Sequence, residues 1–289
     1  MIQPSDIPDI FTKRDLFLQK VKERIWAHPC DFNDTWRNLK SSVNKNDRRL
    51  AAGVLMPLIF RESPSDSSGT EGSFAILLIK RSSRVAQAGD LSFPGGMLNP
   101  IGDRILRYIF LYRLLSAVRQ NTYGAAAGAK SPSSRLITLF MTTALREAWE
   151  ETGLSPFRTA LIGPLPTYNL TLFKRTIFPI AGFVENQGLF HPNSEVDKIV
   201  EIPLASFYRP DSLGSLQIAA SGQKTSTSEY PCLIHHGNDG KEDILWGATF
   251  NITVEFLRIV MNYRLPETRK GPVISRTLSS GYLAADSTM

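Results

Sequence analysis

Residues 144–154 read Ala-Leu-Arg-Glu-Ala-Trp-Glu-Glu-Thr-Gly-Leu and place Glu147, Glu150 and Glu151 within one helical turn and a half. Positions i, i+3 and i+4 of a helix share a face, and like charges there repel by roughly 0.2–0.5 kcal/mol per pair. Gly153 reads as the residue just past the helix end, with Pro156 soon after. Glu150 and Glu151 therefore fall in the last turn, where the helix dipole disfavours anions. Arg146 stands four residues before Glu150 and can offset one charge, but not three. A solvated acidic face is the plain alternative. On the other side Met141, Leu145, Ala148 and Trp149 fall on roughly one arc, which predicts that they pack inward. A packed helix carrying a crowded carboxylate face suggests a cation site, and all-oxygen ligands favour Mg²⁺ or Mn²⁺ over Zn²⁺.

Upstream lies Gly-Asp-Leu-Ser-Phe-Pro-Gly-Gly, residues 89–96. A Pro-Gly-Gly turn leaves backbone amides and carbonyls unobstructed by side chains. Followed by the acidic helix, this turn resembles the signature of the Nudix hydrolases, G-x5-E-x7-R-E-U-x-E-E-x-G-U with U apolar. Arg146, Glu147, Ala148, Glu150, Glu151, Gly153 and Leu154 match its second half at every fixed position, and Gly96 matches the opening glycine. The first half departs from the pattern. The first glutamate falls on Gly102, with Asp103 one residue later, and 42 residues then separate Asp103 from Arg146 where the signature has seven. The signature is thus split by an insertion, and the role of Asp103 stays open.

The resemblance implies metal-dependent attack of water on a diphosphate. Divalent cations, Mg²⁺ or Mn²⁺, would neutralise phosphate oxygens and lower the pKa of bound water. It implies that Glu147, Glu150 and Glu151 hold the metals with the Gly96 carbonyl, and that Arg146 orients the carboxylates. A narrower resemblance, to the coenzyme A diphosphatase branch, runs through 77–96, Leu-Leu-Ile-Lys-Arg-Ser and onward to Phe93-Pro94-Gly95-Gly96. The segments 191–207 and 244–252 are similar to that branch too. This implies coenzyme A or an acyl derivative as substrate. NADH or ADP-ribose is the alternative, and a non-catalytic Nudix-fold binding or membrane-associated module is the rival outside enzymes. Glu195 is the candidate for a further metal ligand or general base from a loop opposite the helix, or an ordinary loop carboxylate. Arg81, Lys80 and Gly95 are candidates for substrate contact, with strand-end solvation as the plain reading of the two cations.

These residues need a frame. The apolar runs 51–60, 73–81, 176–184 and 198–204 suit buried strands, and 11–28 and 248–263 suit helices. The order predicts a mixed α/β (α+β) fold, by resemblance the Nudix α/β/α sandwich with a mixed sheet. The division expected is a helical extension over 1–48, a Nudix domain over 49–264 with an insertion at about 104–140, and a flexible tail over 265–289. The insertion carries Arg104, Arg107, Arg113, Arg119, Lys130 and Arg135 and no acidic residue from 104 to 135. A packed helical cap, an interfacial helix contacting a membrane or a partner, and a lid over an anionic substrate are all open.

Hydrophobic content of 42% and charged content of 21% belong to an ordinary globular chain. A net charge of +6, with no lysine-rich tract interleaved with aromatics, gives no reason to expect nucleic-acid binding. Cys30 and Cys232 form no Cys-x-x-Cys pair, and no apolar run approaches the length of a spanning helix. The N-terminal residues lack a signal pattern, so a cytoplasmic location is expected, with the insertion as a route to a membrane surface. Residues 220–227 do not satisfy a phosphate-binding loop, and His235 and His236 lack a helical metal spacing, which predicts an exposed turn.

Overall fold

A run of aliphatic residues makes the first long strand, β1 (Leu50–Glu62), which pairs antiparallel with β2 (Gly72–Arg81). The computed structural model describes residues 7–42, 50–62, 72–108, 132–170, 174–185, 188–220, 227–237, 239–267, 271–278 and 282. Two short strands, β3 (Leu91–Ser92) and β4 (Gly95–Met97), follow from the glycine-rich stretch. After them come β5 (Thr159–Pro164), β6 (Tyr168–Leu170), β7 (Arg175–Val184) and β8 (Val196–Pro203). The main sheet has the order β3-β2-β1-β7-β5, with β4 on β1, β6 on β7 and β8 on β2. Only β1 and β7 run parallel in it, so the sheet is mixed. Central strands such as β7 are buried over nearly their whole length, as near-continuous apolar runs require.

Helices cover both faces. On one side lie α2 (Phe32–Ser42) and α4 (Pro132–Thr152), packed through Phe32, Phe140, Met141, Leu145 and Ala148 onto Leu55, Phe178 and Ile180. Phe140 stacks on Phe178 with centroids 3.8 Å apart, which fixes how deeply the acidic helix sits. On the other side α1 (Arg14–Ala27) and α5 (Gly247–Met261) bury Phe17, Val21, Ile25, Phe250 and Phe256. The result is an α/β/α sandwich. A second, four-stranded sheet sits beside it in the order β11-β10-β9-β12, from β9 (Leu213–Ala220), β10 (Thr227–His236), β11 (Glu242–Trp246) and β12 (Val273–Leu278).

Several expectations change. The N-terminal segment is not an appendage, because Phe11, Phe17 and Ile25 complete the core. The tail from 265 is not all flexible: β12 pairs in parallel with β9, and Tyr282 is buried. The boundary of the insertion also moves. A short helix, α3 (102–108), leads out, and α4 already begins at Pro132, with Ser134, Ile137 and Phe140 buried. Residues 132–140 therefore belong to the core, and the interfacial or lid readings fall on 109–131, outside the described residues. Trp149 does not pack inward. It is 59% exposed, because Ala144, Leu145 and Ala148 fill the inner arc and Trp149 lies one further step round the helix. His235 and His236 sit on β10 rather than in a turn. Among the described residues no helix is long and apolar enough to cross a membrane.

The two limbs flanking 109–131 lie close together, since Arg107 Nη1 donates to the Arg135 carbonyl at 3.4 Å. Loop-closure cost rises only slowly with length, so exchanging 109–131 for a short Gly/Ser linker is expected to shift the melting temperature by less than about 5 °C. Extending the exchange to 106–138 removes Ile137 from the core, for which a loss of about 2–5 kcal/mol is expected in urea unfolding. Equal stability of the two variants would show that 132–138 does not anchor α4.

Candidate active site

The acidic helix meets the Gly-Gly turn at the C-terminal end of α4. Gly153 closes the helix with φ 72°, its amide donating to the Trp149 carbonyl at 2.9 Å, as the left-handed helix stop requires. Gly96 lies directly under Glu147, so that a Cβ added there would fall 2.4 Å from the carboxylate carbon. Only glycine permits that approach. Beside it the Gly95 amide donates to Glu151 Oε2 at 2.8 Å.

Arg146 holds the rest together. Its Nε donates to Asp103 Oδ1 at 2.6 Å, Nη1 to Glu150 Oε2 at 3.0 Å, and Nη2 to the Met97 carbonyl at 3.1 Å. Nη2 also lies 2.8 Å from Glu147 Oε1. Asp103 is fully buried and takes two further donors on Oδ2, the Thr143 hydroxyl at 2.8 Å and the Asn99 amide at 2.9 Å. The split signature is thus rejoined in space. Asp103, out of register in the sequence, is the carboxylate that grips Arg146. The 42-residue separation leaves that role open in the sequence, and only the fold brings the two side chains together.

The charges are unevenly satisfied. Burial works against the Arg146 charge, but Asp103, Glu147 and Glu150 outweigh it and hold the guanidinium above its ordinary value. Burial raises Glu147 above the usual carboxylate range despite Arg146, with Glu150 and Asp103 adding to the rise. Glu151, 5% exposed, is pushed up to about 8 by burial and then by Glu147 and Glu195, against the Gly95 amide and Arg81. Two carboxylates on one helix face, both reluctant to ionise, mark a place short of positive charge. Hard oxygen donors in such a place fit a divalent cation of the Mg²⁺ or Mn²⁺ kind. The gathering is incomplete: among the described residues no three His, Cys, Asp or Glu side chains form a cage. Glu150 turns outward to Arg146, with 49% of its side chain exposed.

The remaining candidates divide. Glu195 is exposed on a loop tied to β2 through its carbonyl, which accepts from the Ser82 amide at 2.8 Å, and its charge is felt at Glu151. Arg81 also acts on Glu151, and its Nε donates to the Ala86 carbonyl at 2.8 Å. Lys80 points elsewhere. Its ammonium pairs at 2.8 Å with Asp243, whose side chain is 1% exposed and also pairs with Lys198 at 2.8 Å. Lys80 therefore ties the two sheets together and is not a free phosphate contact. Nothing in its local sequence separated the two uses, because Asp243 lies far along the chain.

No family model matches the chain. It is similar to an uncharacterized Nudix hydrolase, NudL, of Photorhabdus laumondii, 25% identical over 209 residues that span 72% of this chain and 83% of that protein. It is also similar to the human mitochondrial coenzyme A diphosphatase NUDT8, at 26% over 219 residues, 74% of this chain and 70% of the relative. A shorter match links it to the mouse peroxisomal coenzyme A diphosphatase NUDT7, 34% identical over 84 residues, 28% of this chain and 34% of the relative. Among solved structures, a NUDIX hydrolase from Nitrosomonas europaea overlays with a TM-score of 0.36 at 10% identity, covering 79% of this chain and 80% of that one. In this site an arginine-braced acidic helix faces a Gly-Gly turn, the layout that the sequence resemblance implies. The chain is similar to the Nudix hydrolases, and these relatives support an enzyme that hydrolyses diphosphate linkages.

Two outcomes test this geometry. Because the folded Glu151 carboxyl titrates above its ordinary value of 4.5, the unfolded chain ionises first, and stability falls as pH rises from about 4.5 to 8. Glu151→Gln in metal-free buffer is therefore expected to stabilise the protein at pH 8 by about 1–3 kcal/mol, with the gain fading toward pH 4.5. Denaturant unfolding at both pH values checks it. Asp103→Ala leaves Arg146 without its buried partner, and a loss of about 3–5 kcal/mol is expected. A loss below about 1 kcal/mol, the range of exposed ion pairs, would show that the pair is not a structural hub.

Proposed function

We propose that this chain hydrolyses the diphosphate of coenzyme A or an acyl-coenzyme A, with Mg²⁺ or Mn²⁺ as cofactor. The observation that carries hydrolysis is the rejoined motif: Arg146 braced by Asp103 presents Glu147 beside Gly96, with Glu151 on the Gly95 amide. The coenzyme A reading is supported by residues 77–96 and by the names of two of the relatives.

In this reading Glu147, Glu150, Glu151 and the Gly96 carbonyl would hold the cations. Bound cations neutralise phosphate oxygens and lower the pKa of coordinated water. The chain's own residues supply position. Asp103 holds Arg146, and Arg146 holds Glu147 against the turn. Glu195 lies near enough to influence Glu151 and is the candidate to accept a proton from water or to add a ligand. Arg81, whose charge acts on Glu151, is the candidate to meet a phosphate. Water adds to one phosphorus and the bridging oxygen leaves with the other phosphate. Coenzyme A then yields 3′,5′-adenosine diphosphate and 4′-phosphopantetheine.

The test is a product assay with Mg²⁺ and with Mn²⁺ against coenzyme A, acyl-coenzyme A, NADH, ADP-ribose and nucleoside triphosphates. Turnover of coenzyme A or its thioesters is expected, and cleavage of NADH alone would reassign the substrate. Glu151→Gln is expected to lower kcat/KM by at least about 100-fold, roughly 2.7 kcal/mol of transition-state stabilisation. Near-normal turnover by that variant would remove Glu151 from the catalytic machinery.

A further inference from the structure

The turn that carries Arg81 toward the site is a demanding one. Between Ser82 and Asp90 it contains Gln87 at φ 56° and Gly89 at φ 79°. A left-handed conformation is disfavoured for a non-glycine residue, so neighbouring contacts must hold it. Three backbone bonds close the turn: Arg81 N to the Asp90 carbonyl at 3.0 Å, Gly89 N to the Arg81 carbonyl at 2.8 Å, and Asp90 N to the Gln87 carbonyl at 3.1 Å. The Asp90 side chain is 8% exposed and faces away from these bonds toward the second sheet.

Three donors from distant parts of the chain converge on that carboxylate. Trp246 Nε1, at the end of β11, donates to Oδ1 at 3.2 Å. Arg276 Nη1, on β12, donates to the same oxygen, while its Nη2 donates to the Ala88 carbonyl at 3.1 Å. The Tyr282 hydroxyl donates to Oδ2, and the Arg276 guanidinium lies 5.7 Å from the centroid of the Tyr282 ring. Two of the three donors thus come from beyond residue 270. Arg276 and Arg81 grip the same turn from opposite sides, on the carbonyls of Ala88 and Ala86. From Asp90 the chain runs through β3 to Pro94, whose carbonyl accepts from Leu55 N at 2.9 Å, and then to Gly95, whose amide holds Glu151. A single path of bonds therefore leads from β12 through Asp90 to the catalytic carboxylate. A parallel path leads through the turn to Arg81, whose charge acts on both Glu151 and Tyr282.

We infer that β12 and Tyr282 act as a clasp on the site, with Arg276 and Tyr282 as positioning residues that hold the 82–96 loop, and through it Arg81 and Gly95, in register with the acidic helix. The inference rests on the hydrolase reading for its catalytic half. A clasp of this kind sets how well bound substrate is aligned, so it acts on kcat more than on KM.

The experiment uses full-length protein carrying Arg276→Gln and Tyr282→Phe together, each change alone, and Arg276→Lys, which keeps a charge for Asp90. Amide exchange by mass spectrometry is read segment by segment. In the double variant, exchange over 81–96 is expected to quicken by about tenfold or more while α4 and β7 keep wild-type protection. kcat on the substrate found for the wild type is expected to fall about tenfold or more, with KM changing less than about threefold. Arg276→Lys is expected to recover part of kcat. Unchanged exchange over 81–96, or faster exchange there with wild-type kcat and KM, overturns the clasp. If the double variant does not fold, Tyr282→Phe alone decides by the same two readings. A wild type inert on every diphosphate counts against the proposed function, and the exchange arm still decides whether the segment is a clasp.

Discussion

One guanidinium inside a ring of acceptors sets the arrangement of this site. Arg146 reaches a buried aspartate, two glutamates of its own helix and a strand carbonyl, with only 14% of its side chain exposed. Taking such charges out of water costs several kcal/mol per ion, which is recovered only when donors and acceptors are matched in number and direction. Asp103 meets that condition through Arg146, Thr143 and Asn99. The match also explains why a long excursion between Asp103 and Arg146 is tolerated. The hub needs the two side chains at one point, and it is indifferent to the path of the chain between them as long as α3 and the start of α4 stay side by side.

Arg146 satisfies Asp103 and Glu150 more fully than it satisfies the inner carboxylates. Glu147 shares it with three other acceptors, and Glu151 has the Gly95 amide in its place. Carboxyl groups that resist ionisation therefore gather on the drier side of the helix, facing the glycine turn. A fold selected for stability alone would not leave carboxylates so placed, since each could be exchanged for a neutral side chain at a gain. The imbalance makes sense as stored demand for a cation, and the glycine at position 96 keeps the approach to it open.

Much of this was legible in the sequence because it is local. Helical spacing placed the three glutamates on one face, Gly153 marked the stop, and the aliphatic runs fell where β1, β2, β7 and β8 lie. What stayed hidden depends on partners far along the chain. The role of Asp103 could not be read from a spacing broken by 42 residues. Lys80 looked like a strand-end cation until Asp243 came beside it. Trp149 followed the apolar pattern, but the inner arc was already filled by smaller residues, and side-chain size is invisible to periodicity. The segment after Pro266 reads as a polar tail, because β12 owes its order to parallel pairing with β9 and to Asp90, neither of which leaves a mark on its own composition.

The two errors of boundary share a cause that bears on how the site is built. Residues 134–140 read as insertion, and β12 with Tyr282 as flexible tail, because each lies beyond a break in a recognisable pattern, yet each packs or bonds against what feeds the site. Helix α4, which the first of these opens, supports Asp103 through Thr143, and the second holds Asp90 through Arg276 and Tyr282. Asp103 and Asp90 stand on either side of the Gly95–Gly96 turn, and each is a buried carboxylate whose donors come from elsewhere in the chain. The turn itself has almost no side chain with which to pack. Its position must be imposed by the residues that flank it, so the precision of the site depends on two anchored aspartates that contribute no ligand of their own.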